Sequence, residues 1–228
     1  DVDLRVRAAV DFAEMVAERI DAIEARVAPF LGKRTETFMS EYRSGKALCV
    51  GTPEQVVASY YDQISLTKPS QPQNKHLWAT LEGKDAALSR LAEQVQPRLG
   101  NHIQHQIALC DGCPALQMRL AKYFPDFIQI LDFIHANEYL WKVANALFGE
   151  THDQRFDWMK THTLLLLSGK TRRLIAEFRS LAKRPKTSRS KRTQLLVTAN
   201  YFERNLPFMD YPSYLANGYP IASGVIEG

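Results

Sequence analysis

Two short apolar runs, each ending on an aspartate and separated by one helix-length segment, constrain this chain more than any other feature. Ile107-Ala108-Leu109-Cys110 leads into Asp111-Gly112, and Phe127 to Phe133 (FIQILDF) carries Asp132. Runs of this length bounded by turn residues read as buried strands. Between them Pro114 to Phe124 reads as a helix with proline at its first position, where the missing N–H costs nothing. A strand, a crossover helix and a second strand pack as a right-handed parallel unit, so both strands point the same way. Asp111 and Asp132 are then expected on one edge of the sheet, outside the carboxyl ends of the strands, where α/β proteins gather functional groups. Two acids on one rim repel unless a cation joins them, and a divalent metal is the common solution. Aspartate after a strand is also ordinary turn chemistry, and each residue taken singly fits that reading too.

The surrounding texture extends the pattern. His76 to Leu81 reads as a strand carrying Trp78, Lys84 to Val95 as a helix with Leu88, Leu91 and Val95 on one face, and Glu138 to Phe148 as a further helix. Strands and helices alternating at these lengths predict an α/β fold with a parallel sheet. After Gly149 the pattern turns all-helical: Phe156 to Leu167, Thr171 to Ala182 and Gln194 to Asn205, with Lys183 to Arg192 (KRPKTSRSKR) as a basic loop. Near the start, Val2, Leu4 and Val6 alternate like a strand. Phe12, Val16, Ile20, Ile23, Val27 and Phe30 then form an amphipathic stripe over 11–31 that packs on a core or pairs with a second copy. Thr67 to Asn74 (TKPSQPQN) is a linker. At the far end Ser223 is placed to cap a helix, with Glu227 in its first turn.

Composition narrows the classes. With 45% hydrophobic and 10% aromatic residues among 228, the chain can build a core and is not a disordered polymer. No apolar run reaches the roughly 18 residues of a membrane span, so no membrane partner is expected. Three cysteines (Cys49, Cys110, Cys113) make no disulfide framework, which suggests a reducing compartment and a cytoplasmic location. Cys110 and Cys113 form a CxxC, but a zinc site needs two more ligands, and His102 and His105 lie on the entering side of the strand. No Gly-rich phosphate loop, HExxH or GxSxG is present. The net charge of +4 is local. Ser168 to Arg192 holds ten basic residues against one acid, Glu177, and without that block 19 basic residues face 24 acidic ones. Such clustering suits a phosphate-binding surface, and equally a solvated helix face running into a charged loop.

Taken in series, IALCDGCPALQ, ILDFIHANEYLWKVANALFGE and YLANGYPIASGVIEG resemble the insertion-sequence transposases of the ISKra group, and NKHLWATLEG upstream looks like the segment preceding them in that family. The likeness runs from about Gly51 to Gly228. It implies a DDE transposase: a partial RNase H-like core, a mixed sheet with flanking helices, over 46–149, after an N-terminal helical segment over 1–45. A helical basic insertion would follow over 150–212, and residues 213–228 would start the helix bearing the last acid. By order, Asp111 is similar to the second acid and Glu227 to the third, both holding Mg²⁺ or Mn²⁺. Asp132 and His135 look like the supporting Asp-x-x-His motif, with Asp132 the alternative second acid. DNA, as transposon ends and target, is the implied partner, which places the protein at the bacterial nucleoid when bound. Lys170, Arg172, Arg173, Lys183, Arg184, Lys186, Arg189, Lys191 and Arg192 would grip its phosphates. The family's first acid has no counterpart in residues 1–74, so the chain is expected to be a trimmed or decayed copy that does not transpose. The rival expectations are a non-catalytic DNA-binding remnant and an α/β scaffold that associates through the 11–31 stripe.

Overall fold

The computed structural model describes residues 51–61, 80–149 and 151–222. All of them lie in the compact unit Arg43–Gly228. The expected elements over 2–6 and 11–31, the linker over 67–74, Trp78 and the helix of Glu227 fall outside the described residues. Thr80 and Leu81, the last residues of the strand expected over 76–81, are not in a strand, and Leu81 is exposed.

Among the described residues the fold is mostly helical around one small parallel sheet. The order is α1 (Pro53–Tyr61), α2 (Lys84–Val95), β1 (Ile107–Cys110), α3 (Pro114–Tyr123), β2 (Ile128–Leu131), α4 (Phe133–Phe148), α5 (Gln154–Leu167), α6 (Thr171–Lys183), α7 (Arg189–Asn205) and α8 (Tyr211–Ala216). β1 and β2 pair in parallel, from Ile107 opposite Ile128 to Cys110 opposite Leu131. The Asp132 N–H donates to the Cys110 carbonyl at 2.8 Å, so the pairing continues past the strands and sets Asp111 beside Asp132. The parallel unit expected from the two apolar runs is therefore present.

Two apolar clusters hold these elements. Leu88 of α2, Cys110, Leu120 of α3 and Phe124 pack together on one side of the sheet. Phe133, Leu140, Met159, Leu166, Leu174, Phe178, Leu195 and Phe202, all fully buried, join α4 to α7. Each such side chain contributes about 2 kcal/mol on leaving water. In α6, Leu174, Ile175, Phe178 and Ala182 recur at helical spacing and are buried, while Arg172, Arg173 and Lys183 face solvent.

Two helices start earlier than their apolar periodicity suggests, both because a polar residue caps them. α4 begins at Phe133 rather than Glu138: the Asp132 carboxylate accepts the Ile134 N–H at 2.8 Å. His135 therefore sits in the first turn of a helix. α7 begins at Arg189 rather than Gln194, with the Ser188 hydroxyl accepting the Lys191 N–H. The basic loop shrinks to the few residues between Lys183 and Arg189, and α6 and α7 form an antiparallel hairpin. Arg192 bonds the Ala182 carbonyl near the turn, and Arg179 pairs with Glu203 further along.

Candidate functional site

The chain leaving β1 carries the residue most open to chemistry. Asp111 is exposed. One carboxylate oxygen accepts the Cys113 N–H at 2.8 Å, and the other has no hydrogen-bond partner among the described residues. Gly112 follows with φ +77°, a conformation that L side chains adopt at a cost. A Cβ there would stand 2.8 Å from both Leu131 Cδ1 and Tyr201 Oη, so a side chain would have to displace those two tips as well as adopt the unfavourable backbone shape. Cys113 then takes the N-cap position of α3, whose first residue is Pro114.

Asp132, the neighbour of Asp111 across the sheet, is differently placed. It is 2% exposed, and its carboxylate holds the start of α4. The sequence pattern brings the two acids to one rim as expected, but only Asp111 presents a carboxylate to solvent. His135 lies in the first turn of α4 with Nδ1 3.6 Å from the Glu138 carboxylate. Glu227 lies outside the described residues, so its approach to Asp111 is not part of the structure described. Among the described residues no group of three or more His, Cys, Asp or Glu side chains is arranged to hold a metal. Asp111 offers one hard, solvent-facing carboxylate oxygen, which by itself is short of the donor set a divalent cation needs.

The CxxC flanking Asp111 separates into two unlike thiols, both free. Burial pushes the Cys110 thiol above its ordinary range. Cys113 is held below it, first by the Leu116 N–H at the helix start and further by Lys84, whose Nζ lies 3.7 Å from the sulfur. His105 sits at the opposite end of β1, bonded to the Tyr219 hydroxyl at 3.0 Å, so it is not gathered with the cysteines.

The expected phosphate-binding residues divide into three sets. Lys170, Arg172 and Arg173 are exposed at the start of α6. Lys183, Arg184, Lys186 and Arg189 are exposed around the α6–α7 turn, roughly 18 Å further along at 1.5 Å per helical residue. None of these four is ion-paired among the described residues. Lys191 and Arg192 have structural duties that charge counting could not foresee: Lys191 Nζ donates to the Leu147 carbonyl at 3.0 Å, and Arg192 Nε to the Ala182 carbonyl at 3.0 Å. They satisfy the C-terminal carbonyls of α4 and α6. Neither α6 nor α7 has an acid in its first turn, where cations oppose the helix dipole.

Reading the sequence missed Tyr201, Arg204, Asn205, Gln117 and Tyr211. The Tyr201 hydroxyl donates to the Asp111 carbonyl at 2.9 Å, and the Tyr211 hydroxyl donates to the Leu131 carbonyl at 3.0 Å. Each strand exit is thus met by a tyrosine from the helical region, and the only signal was a tyrosine among apolar positions. Compared with known proteins, the chain matches no family model, no curated protein and no solved structure.

Proposed function

We propose that this chain is part of a DDE-type DNA transposase with an RNase H-like core, in which carboxylates hold Mg²⁺ or Mn²⁺ at a phosphodiester. The observation that carries the reading is the parallel β1–β2 pair, which sets Asp111 and Asp132 side by side with Asp111 facing solvent. Asp111 would bind a metal with Glu227, and Asp132 would keep its neighbour in place from the start of α4. Bound metal supplies charge stabilisation for the attacking and leaving oxygens of phosphoryl transfer. The chain's own contribution is to fix the Asp111 oxygen and to hold the nucleic acid.

Several observations support DNA as the partner. The apolar face of α6 is consumed by the core, so its basic face has no lipid-inserting counterpart. Cations crowd the N-termini of α6 and α7, where the helix dipole already favours an anion. Two cationic groups roughly 18 Å apart along one helix suit the phosphates of an extended backbone, contacted without reading bases. A second reading, DNA binding without metal chemistry, is favoured by the exposed, unpaired Lys183, Arg184, Lys186 and Arg189 around the α6–α7 turn, which need no metal to meet phosphates.

The test is a salt titration of duplex binding. Reversing Lys183, Arg184 and Lys186 to glutamate is expected to lower the slope of log K against log salt by about 3, near 0.9 per phosphate contact. An unchanged slope rejects this surface. Mn²⁺ binding that disappears in Asp111→Asn separates the transposase reading from the metal-free one.

A further inference from the structure

The outward face of α7 joins the basic turn to the chain leaving β1. Arg189, Thr193, Val197, Asn200 and Arg204 recur at steps of three or four residues, so they share one stripe of the helix, and all are exposed. The opposite stripe, Leu195, Thr198, Ala199 and Phe202, is buried. The exposed stripe begins at the turn that carries Lys183, Arg184 and Lys186. It ends where Arg204 Nη2 lies 3.4 Å from the Gly112 carbonyl. At 1.5 Å per helical residue its two arginines stand about 22 Å apart. That is about six base-pair steps of duplex at 3.4 Å per step.

No acid is left over on this hairpin. Glu177 and Glu203 are the sole acids of α6 and α7. Glu177 bonds the His162 ring, and Glu203 is held by Arg179. Lys183, Arg184, Lys186 and Arg189 carry no ion pair among the described residues, so the surplus charge is positive. Between the cations the stripe is uncharged. The Asn200 side-chain oxygen accepts from Arg179 at 3.5 Å, which leaves its amide nitrogen as a donor with no partner among the described residues. Such donors contact phosphate without reading sequence. At the β1 end the Arg204 guanidinium lies over the Tyr201 ring, and Tyr201 stacks on Tyr139 with ring centroids 3.7 Å apart. Exposed Lys142 of α4 lies over the other ring of that pair.

We infer that the outward face of α7 is a track for a DNA backbone, leading from the basic turn to Arg204 beside the β1 exit. The inference rests on the DNA-binding reading of the turn and adds the path the nucleic acid takes from it. Charge complementarity selects the occupant: cations at both ends with uncharged surface between them suit a polyanion. Exposed apolar surface on α7 amounts to the adjacent pair Leu196 and Val197, too little for an apolar partner.

The experiment measures binding of the full chain to a fluorescein-labelled DNA duplex by anisotropy across a salt series. Wild type is expected to bind. Arg204→Met is expected to lower the steepness of log K against log salt by about 0.9, one phosphate contact, and Asn200→Lys to raise it by about as much. A gain in steepness cannot come from a damaged fold, so Asn200→Lys keeps the test decisive where another variant unfolds. Asn200→Glu is expected to weaken binding about 10-fold. Gln94→Glu makes the same charge change at an exposed site on α2 and is expected to bind as wild type does. Unchanged steepness in Arg204→Met and Asn200→Lys, beside a loss on reversing Lys183, Arg184 and Lys186, overturns the track and leaves the DNA reading in place. Equal weakening in Asn200→Glu and Gln94→Glu overturns it as well, by reducing the effect to net charge. A self-associating wild type whose mass in sedimentation falls in Val197→Glu, with duplex affinity unchanged, assigns the face to a second copy and overturns the track. Absence of duplex binding in wild type overturns the DNA reading and the inference with it.

Discussion

The exits of β1 and β2 start alike and end differently. Each strand runs straight into an aspartate, the two aspartates are register neighbours, and each exit has a carbonyl held by a tyrosine hydroxyl. After β2 the residue following Asp132 is already helical, so the Asp132 carboxylate is drawn inward to cap α4. After β1, Gly112 and Cys113 intervene and Cys113 takes the cap position. Pro114 at the first helical position has no N–H to satisfy, and the Asp111 carboxylate stays at the surface. A spacing of two residues before the first helical turn thus separates an acid that builds the fold from one that is available for chemistry.

Gly112→Ala should break the β1 exit most severely. A positive φ costs about 1 kcal/mol for alanine and the close approach of Leu131 and Tyr201 adds overpacking, for a total of about 3 kcal/mol in urea unfolding. Asp132→Ala should cost about 2 kcal/mol by the same measurement, since a buried cap is lost. Asp132→Asn, which can still accept the Ile134 N–H, should cost under about 1 kcal/mol. Asp111→Ala should cost less than Asp132→Ala, within about 0.5 kcal/mol of wild type, as surface changes do. Equal costs at the two aspartates would erase the distinction drawn here.

The smallest effect sharpens the same comparison through the thiols beside Asp111. The Leu116 N–H, with Lys84 behind it, favours the thiolate of Cys113, so more of it is ionised at a given pH. Its alkylation by iodoacetamide should rise at lower pH than that of an ordinary cysteine, and Lys84→Met should move the profile up. Buried Cys110, shifted the opposite way, should react only as the protein opens.

How much of this was legible follows from the range of each interaction. The parallel pair could be read because two apolar runs and Pro114 are local signals, and the ends of α2 follow from its own apolar face. The starts of α4 and α7 were misplaced because Asp132 and Ser188 act as caps, which apolar periodicity does not register. Asp111 and Asp132 could be set on one rim from strand direction alone, but their different exposure depends on where each next helix begins. Tyr201 and Arg204 act on a strand exit about 90 positions away, a contact that no spacing rule reports. Lys191 and Arg192 look identical to their basic neighbours until the carbonyls of Leu147 and Ala182 are seen beside them.

Those two side chains have a consequence for how the helical half comes apart. The start of α7 serves as the terminus cap for α4 and α6, so three helix ends are tied in one knot. Fraying of the last turns of α4 and α6 is therefore expected to be coupled to that of the first turn of α7. The cationic turn is thereby tied through the start of α7 to both neighbouring helix ends, and its charges stand beside those joined carbonyls.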